Sequence, residues 1–487
     1  MVAERSAQVL VASNRGPVAY RPAEDDPARL TARRGGGGLV SGLSAIGPET
    51  GAVWVCSALS SPDREAASRA GRRLDSADTG GQAVRMLDIP ADVHDGAYNG
   101  VANSVLWFVH HLLYRTPVEP SFDAEFARQW AAYEAYNAAF ADALAEEAAE
   151  GAAVLVQDYH LSLVPALLRE RRPDLRIGHF SHTPWAPPDY YRMLPDDVAA
   201  DVLRGVLGAD RAGFLTARWA RAFADCCADV LGAEVTTGED GHVHVVHEGR
   251  TTRLGVHPLG ADGDFLRERS RRHDVAERRQ QLRAQIGGGD RRIVVRVDRT
   301  ELSKNIVRGL YAFRRLLTDH PEWQGRVVHL AFAYPSRQDL AVYQEYTAEV
   351  AEVAEEINAD FGTPAWTPVV LHVEDDFARS LAAYRMADVA LVNPIRDGMN
   401  LVAKEVPVVS DEGCALVLSR EAGAYAELAE DALTVNPYDI AETARALHEA
   451  LSMPKGERAE RSKRLADAAT ALPPADWFLE QLEGLRG

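Results

Sequence analysis

The chain of 487 residues has few cysteines, no excess of basic residues and no long apolar run, and each shortage excludes a class of protein. Its four cysteines form no C-x-x-C pair, which argues against a disulfide framework and against a zinc site. Acidic residues outnumber basic ones by 72 to 53, and the net charge of −19 argues against nucleic acid as a partner. No apolar run approaches the roughly 18 residues that a membrane span needs.

The first residues lead straight into a short apolar segment and contain no hydrophobic stretch typical of a secretory signal. Cysteines without an evident partner are typical of proteins from reducing compartments. We therefore expect a cytoplasmic protein with reduced, buried thiols and no membrane partner. The sequence leaves open whether the protein forms a homo-oligomer.

Short apolar runs alternate with longer segments of helical periodicity, which predicts an α/β fold of βαβ units. Runs that are apolar on both faces are typical of buried parallel strands. We predict such strands at residues 8–12, 53–55, 154–156, 177–180, 213–215, 293–297, 327–332, 369–371, 389–392, 416–418 and 433–435. Helices are predicted at residues 122–150 and 338–358, and a mobile polar loop at residues 21–34.

A charged helical segment and a glycine-rich turn interrupt the alternation between residues 256 and 290. We therefore predict an N-terminal Rossmann-like domain at residues 1–258 and a C-terminal one at residues 259–465. A final helical segment, residues 466–487, is expected to pack back on the N-terminal domain. Ligands of doubly wound sheets bind beyond the carboxyl ends of the strands, so two facing domains predict an interdomain cleft.

Four consecutive glycines, residues 35–38, follow the first predicted strand and its polar loop. Glycine lets backbone N–H groups approach an anion closely, so this segment, which ends at Gly38, is a candidate diphosphate site. A flexible linker explains the same residues equally well, because the pattern matches no established phosphate-loop motif.

Two cations, Arg299 and Lys304, come after the apolar strand of residues 293–297. Arginine binds phosphate through two parallel hydrogen bonds and lysine acts as a point charge, so the pair is a candidate for holding a pyrophosphate. The plainer alternative is two solvated surface cations.

Residues 393–405 follow another apolar strand and combine a turn with the start of a helix. Gly398 permits the turn, and the first amides of the helix are available to an anion. Asp397 is placed to accept hydrogen bonds from sugar hydroxyls, and Glu405 is placed to hold a ribose diol. The alternative is an ordinary β–α turn with a capping aspartate.

In the first half of the chain, Arg15 and Asp158 follow apolar strands, where residues that face a ligand are expected. His179 and His182 lie three residues apart on a strand, which does not favour a metal pair. The single D-x-D sequence, residues 262–264, lies in the boundary loop rather than at the carboxyl end of a sheet. We therefore predict no metal and no cofactor, so fixed cations must neutralise a leaving diphosphate.

The motifs SNR, GGL-x-x-G, Y-x(8)-W, DYH, H-x-P-W, R-x(4)-K, SR-x-D and RDGMNLVAKE occur in that order between residues 13 and 405. This set resembles the retaining trehalose-phosphate synthases, whose two Rossmann-like domains form the arrangement called GT-B. The resemblance extends to the NPY sequence at residues 436–438 and so covers nearly the whole chain. It implies a glycosyltransferase that makes trehalose 6-phosphate from a nucleotide-diphospho-glucose donor and glucose 6-phosphate as acceptor.

The resemblance also implies roles for the matched positions. The implied donor-binding residues are Gly38, His182, Arg299, Lys304, Asp397, Gly398, Met399, Asn400, Leu401, Val402 and Glu405. The implied acceptor-binding residues are Arg15, Tyr98, Trp107, Asp158 and Arg337. The residues expected to act in catalysis are Asp158, His182, Arg299, Lys304 and Asp397.

The mechanism that the resemblance implies is front-face displacement with retention, in which the leaving diphosphate accepts the proton of the acceptor hydroxyl. No side chain is an obvious nucleophile. Catalysis then depends on orientation of the two substrates and on charge stabilisation by Arg299 and Lys304.

Three positions depart from the family pattern. Ser57 replaces a second tryptophan, Asn305 replaces the glycine after the diphosphate lysine, and Gln157 replaces the histidine before DYH. The segment 371–376, expected to face the base, is more acidic than is typical of a uridine pocket. UDP-glucose and GDP-glucose are therefore equally favoured as donors, with ADP-glucose behind them.

Two other functions fit the same fold. A pseudo-glycosyltransferase of the validoxylamine phosphate synthase type is expected to lose parts of SNR and RDGMNLVAKE. A catalytically silent sugar-phosphate sensor is expected to lose the donor-binding residues. Both sets are intact in this chain, so both alternatives are less favoured.

Overall fold

The computed structural model describes residues 6–23, 25–26, 29–34, 51–74, 76–77, 79, 81–238, 241–287 and 290–486. The chain divides into two compact units. Unit 1 comprises Met1–Leu259 and Pro474–Gly487, and unit 2 comprises Gly260–Pro473. Among the described residues, none of the helices combines the length and the apolar character that a bilayer crossing requires.

Unit 1 contains a nine-stranded sheet and a separate hairpin. Its strands are β1 (Ala7–Ala12), β2 (Val18–Pro22), β3 (Leu30–Arg34), β4 (Val53–Ser57), β5 (Ala83–Leu87), β6 (Ala148–Gln157), β7 (Arg176–Ser181), β8 (Arg211–Phe214), β9 (Glu234–Thr237), β10 (Val243–His247) and β11 (Arg250–Val256). The sheet order is β5-β4-β1-β6-β7-β8-β11-β10-β9. All pairs from β5 to β11 are parallel, whereas β10 runs antiparallel to both neighbours.

The helices of unit 1 connect the parallel strands. They are Ser61–Ala70, Ala91–Asp95, the π-helix Gly96–Leu106, Trp107–His111, Ala124–Glu147, the 3₁₀ turn Tyr159–Leu161, Val164–Arg171, Pro188–Tyr191, Asp196–Leu207, Ala217–Leu231 and Pro474–Arg486. The last of these returns from the far end of the chain and buries Trp477 and Phe478 completely. The Trp477 ring packs edge-on against Phe180 of β7 at 4.8 Å, and its indole N–H donates to the carbonyl of His257.

Unit 2 contains a six-stranded sheet in which every pair is parallel. Its strands are β12 (Arg292–Thr300), β13 (Val327–Pro335), β14 (Val369–His372), β15 (Val389–Val392), β16 (Ala415–Ser419) and β17 (Leu433–Val435), in the order β14-β13-β12-β15-β16-β17. Its helices are Gly263–Ser270, His273–Ile286, Leu302–Lys304, Ile306–Asp319, Pro321–Trp323, Ala341–Phe361, Phe377–Met386, Leu401–Val409, Tyr425–Leu428, Ile440–Ser452 and Lys455–Ala469.

The predicted α/β fold is confirmed, since two largely parallel sheets alternate with helices along the chain. The expectation of reduced, buried thiols is also confirmed, because all four cysteines are free and buried. The prediction of a mobile loop at residues 21–34 was wrong for residues 21–22 and 30–34, which belong to the hairpin β2–β3. Each strand of this hairpin has only five residues. The alternation of buried and exposed side chains, with Val18 and Tyr20 buried, is therefore too short to predict a strand from the sequence.

Candidate active site

In both sheets the candidate residues lie where the direction of strand connections reverses. In unit 2 the chain proceeds from β12 to β13 and β14 on one side, then returns to β15 on the other. In unit 1 the corresponding point lies between β1 and β6. Such switch points open a crevice at the carboxyl ends of the strands, which is the usual ligand position in doubly wound sheets.

The unit 2 switch point brings two predicted segments together through a short ion pair. The ammonium group of Lys304, after β12, lies 2.5 Å from Oδ2 of Asp397, after β15. Burial alone disfavours the charged ammonium, but the carboxylates of Asp397, Asp298 and Glu301 outweigh that effect and raise the pKa of Lys304. Lys304 therefore stays positively charged in the described structure.

A second ion pair lies buried beneath the first. The guanidinium of Arg296 donates to Asp298 and to the carbonyl of Lys304, both at 2.9 Å, and thereby fixes the backbone that carries the lysine. A side chain at Gly309 would place its Cβ 2.2 Å from the Arg296 guanidinium, so glycine is required there. Burial raises the pKa of Asp298, and Arg296 opposes that rise. Sequence reasoning missed this pair, although two charged residues within an otherwise apolar strand indicate a buried ion pair.

The Asp397 turn is fixed by hydrogen bonds within the segment and by one close approach. Asp397 also accepts from the Asn400 side-chain amide at 3.0 Å, and Asn400 caps helix Leu401–Val409 by accepting from the Ala403 amide. A Cβ at Gly423 would lie only 1.8 Å from the carbonyl oxygen of Gly398, so the two turns require glycine at their contact. The helix thus starts beside Asp397, where its first amides favour an anion.

Glu405 and Lys404 extend from the same helix to different partners. Burial raises the pKa of Glu405 to about 7, and the Tyr384 hydroxyl lies 3.3 Å from one of its carboxylate oxygens. Lys404 is fully buried and pairs with Glu427 at 2.6 Å. Burial lowers the pKa of Lys404, and Glu427 opposes that change. Lys404 is therefore a structural partner of Glu427. Glu405 lies one helical turn after Leu401, on the face of the helix that Leu401 also occupies.

Arg299 and Arg337 meet through a residue that the sequence did not indicate. Glu301 is completely buried, and its two carboxylate oxygens lie 3.2 Å from Nε of Arg299 and 3.3 Å from Nη1 of Arg337. Arg337 has a positive φ of 49° and also donates to the Tyr343 hydroxyl at 3.1 Å. A carboxylate two residues after a predicted phosphate arginine was the only available signal.

In unit 1, Arg15, Asp158 and His182 follow the adjacent strands β1, β6 and β7. Asp158 has a positive φ of 74°, and its carboxylate accepts from the backbone N–H of His182 at 3.2 Å. Arg15 is exposed, and no ion pair joins it to the part of the chain that the structure describes. The three predicted residues therefore lie at one edge of the unit 1 sheet.

His182 is held neutral with a defined hydrogen-bond partner. Burial lowers its pKa to about 4. The side-chain oxygen of Gln157 lies 2.9 Å from Nε2 of His182 and accepts from it, which leaves Nδ1 as the acceptor nitrogen. Gln157, one of the departures from the family pattern, therefore sets the tautomer of a predicted donor residue.

Tyr98 and Trp107 lie on and directly after the π-helix Gly96–Leu106. Nine residues correspond to about two turns at roughly 4.4 residues per turn, whereas an α-helix would place them on opposite faces. Tyr98 stacks between His94 and His160 at ring distances of 5.4 and 5.5 Å, and Trp107 stacks on His111 at 3.8 Å. Both rings therefore adjoin the segment that follows Asp158, since Trp107 also contacts Tyr159 at 5.7 Å.

Ser57 takes part in a buried hydrogen-bond chain. Its hydroxyl lies 2.6 Å from that of Tyr136, which in turn donates to the side-chain oxygen of Asn14 at 2.6 Å. Asn14 precedes Arg15 directly, so this chain fixes the turn after β1. Sequence reasoning missed Tyr136, because a tyrosine within an amphipathic helix resembles an ordinary core residue.

Asn305, the third departure, adopts the backbone conformation that glycine usually supplies. Its φ is +58°, and asparagine tolerates this region better than other side chains. Its amide donates to the carbonyls of Asn393 and Pro437 at 2.9 and 2.8 Å. The substitution therefore joins three loops at the carboxyl ends of β12, β15 and β17.

The predicted residues are distributed unequally over the two units. Gly38 and its glycine run lie outside the described residues. Of the predicted donor-binding residues that the structure describes, His182 belongs to unit 1 and the others belong to unit 2. Of the predicted acceptor-binding residues, Arg337 belongs to unit 2 and the others belong to unit 1.

Within the described ranges, one cluster of three groups has the spacing of a metal site: His320, Glu322 and His448. The Trp323 indole N–H donates to Nδ1 of His448 at 3.1 Å. A neutral His448 therefore carries its proton on Nε2 and has no lone pair to offer there. This cluster contains none of the predicted site residues.

Comparison with known proteins identifies relatives over nearly the full length. The chain matches the model of glycosyltransferase family 20 over residues 7–486. It is 36% identical over 482 residues to alpha,alpha-trehalose-phosphate synthase (UDP-forming) 2 of Aspergillus fumigatus, which covers 97% of this chain and 96% of that protein.

Two solved structures are similar in fold. The trehalose-6-phosphate protein from E. coli bound with UDP-2-fluoro glucose gives a TM-score of 0.83 at 28% identity and covers 98% of both chains. The alpha,alpha-trehalose-phosphate synthase (UDP-forming) of Burkholderia xenovorans in complex with glucose-6-phosphate gives 0.84 at 28% identity, covering 99% of this chain and 100% of that one.

Proposed function

This chain belongs to glycosyltransferase family 20, and we propose that it transfers glucose from UDP-glucose to glucose 6-phosphate, forming α,α-trehalose 6-phosphate with retention. The observation that carries the proposal is the contact of Lys304 with Asp397 at the unit 2 switch point. A fixed cation, a sugar-binding carboxylate and a helix N-terminus there meet the needs of a sugar diphosphate. The relatives named as UDP-forming trehalose-phosphate synthases support the choice of substrates.

Unit 2 is proposed to bind the donor. Arg299 and Lys304 hold the diphosphate, Asp397 accepts from the glucose hydroxyls, and Glu405 accepts from the ribose. The backbone of Gly398, Met399 and Asn400 grips the sugar, and the amides of Leu401 and Val402 face phosphate. The short paired contacts described above support these roles, because charges that are already placed need little reorganisation when the leaving group becomes more negative.

Unit 1 is proposed to bind the acceptor through Arg15, Tyr98, Trp107 and Asp158. Arg337 of unit 2 is proposed as a second cation for the 6-phosphate of the acceptor. His182, kept neutral by burial, offers Nδ1 to a hydroxyl of the donor glucose. Gly38 is proposed as a further diphosphate contact. The free, buried cysteines support a cytoplasmic location.

The proposed mechanism is front-face displacement. The acceptor hydroxyl attacks the anomeric carbon from the side of the departing diphosphate and transfers its proton to the leaving oxygen. Charge develops on the diphosphate, where Arg299 and Lys304 stabilise it. Asp397 and Asp158 orient the two sugars, so that most of the rate acceleration comes from positioning and charge.

Uridine is favoured over guanine by the state of the acidic segment near β14. The carboxylate of Asp376 already accepts from Arg278 at 2.6 Å and caps helix Phe377–Met386 through the Arg379 amide. Glu374 is strongly exposed, with 83% of its side chain accessible. Asp376 is one of the acidic residues that argued for guanine, and its carboxylate already has protein partners. This weakens the argument for guanine.

The proposal is tested by product formation from glucose 6-phosphate with UDP-, GDP- and ADP-glucose side by side. We expect trehalose 6-phosphate, with both linkages α by NMR, and the highest kcat/KM with UDP-glucose. Faster turnover with GDP-glucose would reverse the donor assignment. Turnover only with an aminocyclitol phosphate would indicate a pseudo-glycosyltransferase, and calorimetric binding of glucose 6-phosphate without donor binding would indicate a sensor.

A further inference from the structure

Glu301 lies between two cations that the proposed function assigns to different substrates. It follows β12, with Arg299 two residues before it and Lys304 three residues after it. The residue has no exposed surface, so its carboxylate depends on protein partners for stabilisation. Burial of a carboxylate without such partners is unfavourable, which makes the choice of partners informative.

The partners of Glu301 are divided between its two oxygens. One oxygen faces Nε of Arg299 at 3.2 Å and accepts from the Ser336 hydroxyl at 3.1 Å. The other faces Nη1 of Arg337 at 3.3 Å. One carboxylate group thus fixes the separation of two guanidinium groups, one at the end of β12 and one directly after β13.

The two arginines differ in what else holds them. Arg337 is largely buried and has a second polar partner in the Tyr343 hydroxyl. Arg299 has 59% of its side chain exposed, and Glu301 is its one ion-pair partner among the described residues. Without Glu301, the long side chain of Arg299 would regain rotamer freedom, which a phosphate would have to remove on binding.

We propose that Glu301 is a positioning residue that sets Arg299 and Arg337 at a fixed separation for the phosphates of donor and acceptor. This inference rests on the proposed function, which gives the two arginines their separate substrates. Removal of either arginine should weaken the binding of one substrate, whereas removal of the shared carboxylate should weaken the binding of both. Glu301 touches neither substrate in this scheme and acts only through the two guanidinium groups.

The decisive variant is Glu301→Gln, which keeps the size of the side chain and removes its charge. We expect KM to rise about 10-fold for glucose 6-phosphate and for UDP-glucose, the effect of losing one contact in a coupled network. Glu301→Asp keeps the charge and is expected to recover at least half of the loss on a logarithmic scale. Glu356→Gln, an exposed partner of Arg314, is the matched control and should leave both KM values unchanged.

A double-mutant cycle separates this role from a general structural defect. In an Arg337→Ala background, Glu301→Gln should further raise the KM of the donor but not that of the acceptor. In an Arg299→Ala background, it should raise the KM of the acceptor alone. Additive effects on both substrates in both backgrounds, or unchanged KM values in Glu301→Gln itself, would overturn the proposal.

Binding measurements keep this test separate from that of the proposed function. Calorimetry with UDP and with glucose 6-phosphate reports the same split through Kd, even if the wild-type chain forms no trehalose 6-phosphate. Thermal melting establishes that each variant is folded. If Glu301→Gln does not fold, Glu301→Ala replaces it in the cycle, and Kd values equal to those of wild type for both ligands would overturn the proposal.

Discussion

The two units hold their candidate residues by different kinds of contact. At the unit 2 switch point the contacts are between opposite charges: Lys304 with Asp397, Arg296 with Asp298, and Glu301 with two arginines. At the carboxyl end of the unit 1 sheet most contacts are between neutral groups: stacked rings around Tyr98 and Trp107, and the hydroxyl and amide chain of Ser57, Tyr136 and Asn14.

This difference corresponds to the two tasks proposed for the units. A departing diphosphate gains charge as the bond breaks, so cations held in place by carboxylates are most effective there. The sugar ring of glucose 6-phosphate is neutral and has polar edges and apolar faces, so aromatic rings and single hydrogen bonds suffice to orient it, and Arg15 is left for the phosphate. Changes in unit 2 should therefore cost much more activity than changes in unit 1, and the following predictions test that order.

The largest expected effect follows Lys304→Ala, with a loss in kcat on the order of 10²-fold or more, because a charge-stabilising cation is removed. The variant also leaves Asp397 without its ion-pair partner, which should lower the free energy of unfolding by about 3 kcal/mol. Steady-state kinetics and urea denaturation measure the two losses. Lys455→Ala, which removes an exposed lysine near Glu412, is the control. Wild-type turnover in Lys304→Ala would contradict the charge-based account of unit 2.

Next in size is Arg337→Ala, which should raise the KM for glucose 6-phosphate by about 30-fold, as expected when one partner of a buried charge pair is truncated. The donor KM should change far less. Initial rates at varied acceptor and fixed donor concentrations measure this split. Equal increases for both substrates would mean that Arg337 does not belong to the acceptor.

A smaller effect is expected from pH through Glu405. Burial raises its pKa to about 7, so its carboxylate becomes fully charged only above neutral pH and then accepts better from ribose hydroxyls. The donor KM should fall about fivefold between pH 6 and pH 8, and Glu405→Gln should abolish this dependence. A pH profile that is identical in the variant would remove Glu405 from the donor site.

The same shift in Glu405 has a defined sign for stability. Its pKa rises from 4.5 to about 7 on folding, so the native state binds more protons than the unfolded state between those values. The contribution of Glu405 to the free energy of unfolding therefore falls as the pH rises from about 4.5 to about 7. Urea denaturation of wild type and Glu405→Gln over this range measures the contribution.

In unit 1, Tyr136→Phe should reduce kcat/KM by only about threefold, because it removes neutral hydrogen bonds rather than a charge. The side-chain oxygen of Asn14 loses its donor, so the turn that carries Arg15 becomes less well defined. Kinetics with varied glucose 6-phosphate measure the effect. A loss as large as that of Lys304→Ala would break the contrast between the two units.

The smallest expected effect is none at all, on addition of a chelator. If Arg299 and Lys304 neutralise the diphosphate, EDTA should leave turnover with UDP-glucose unchanged. An assay with and without EDTA after dialysis checks this. Lost activity that Mg²⁺ restores would show that fixed cations alone are insufficient.

The sequence predicted the framework of the fold and the family better than the contacts within the site. The strands at residues 389–392 and 433–435 occur with the predicted bounds, because buried parallel strands are continuous apolar runs. The family resemblance drawn from the ordered motifs is confirmed. By contrast, the strands β9 and β10 were missed, since β9 is exposed throughout and β10 has five residues of which only Val245 is buried.

The supporting residues of the site were invisible for a physical reason. Glu301, Arg296 and Tyr136 contact their partners through the tertiary fold, and no local pattern identifies a partner that is distant in sequence. The π-helical winding that places Tyr98 and Trp107 on one side was equally unpredictable, because helical periodicity is assumed to be 3.6 residues. Motifs thus predicted the residues that are proposed to face ligands, and the structure identified the residues that contact and hold them.

The return of the chain to unit 1 at Pro474 imposes an order on biosynthesis. All of unit 2 is synthesised before Trp477. The larger unit, although its first 259 residues emerge earlier, must wait for the final helix to cover Phe180 and to contact the ring of His182 at 5.6 Å. A nascent chain that stalls before this helix would expose that apolar surface to chaperones. His182 would then lack the Trp477 ring, which shields it from solvent.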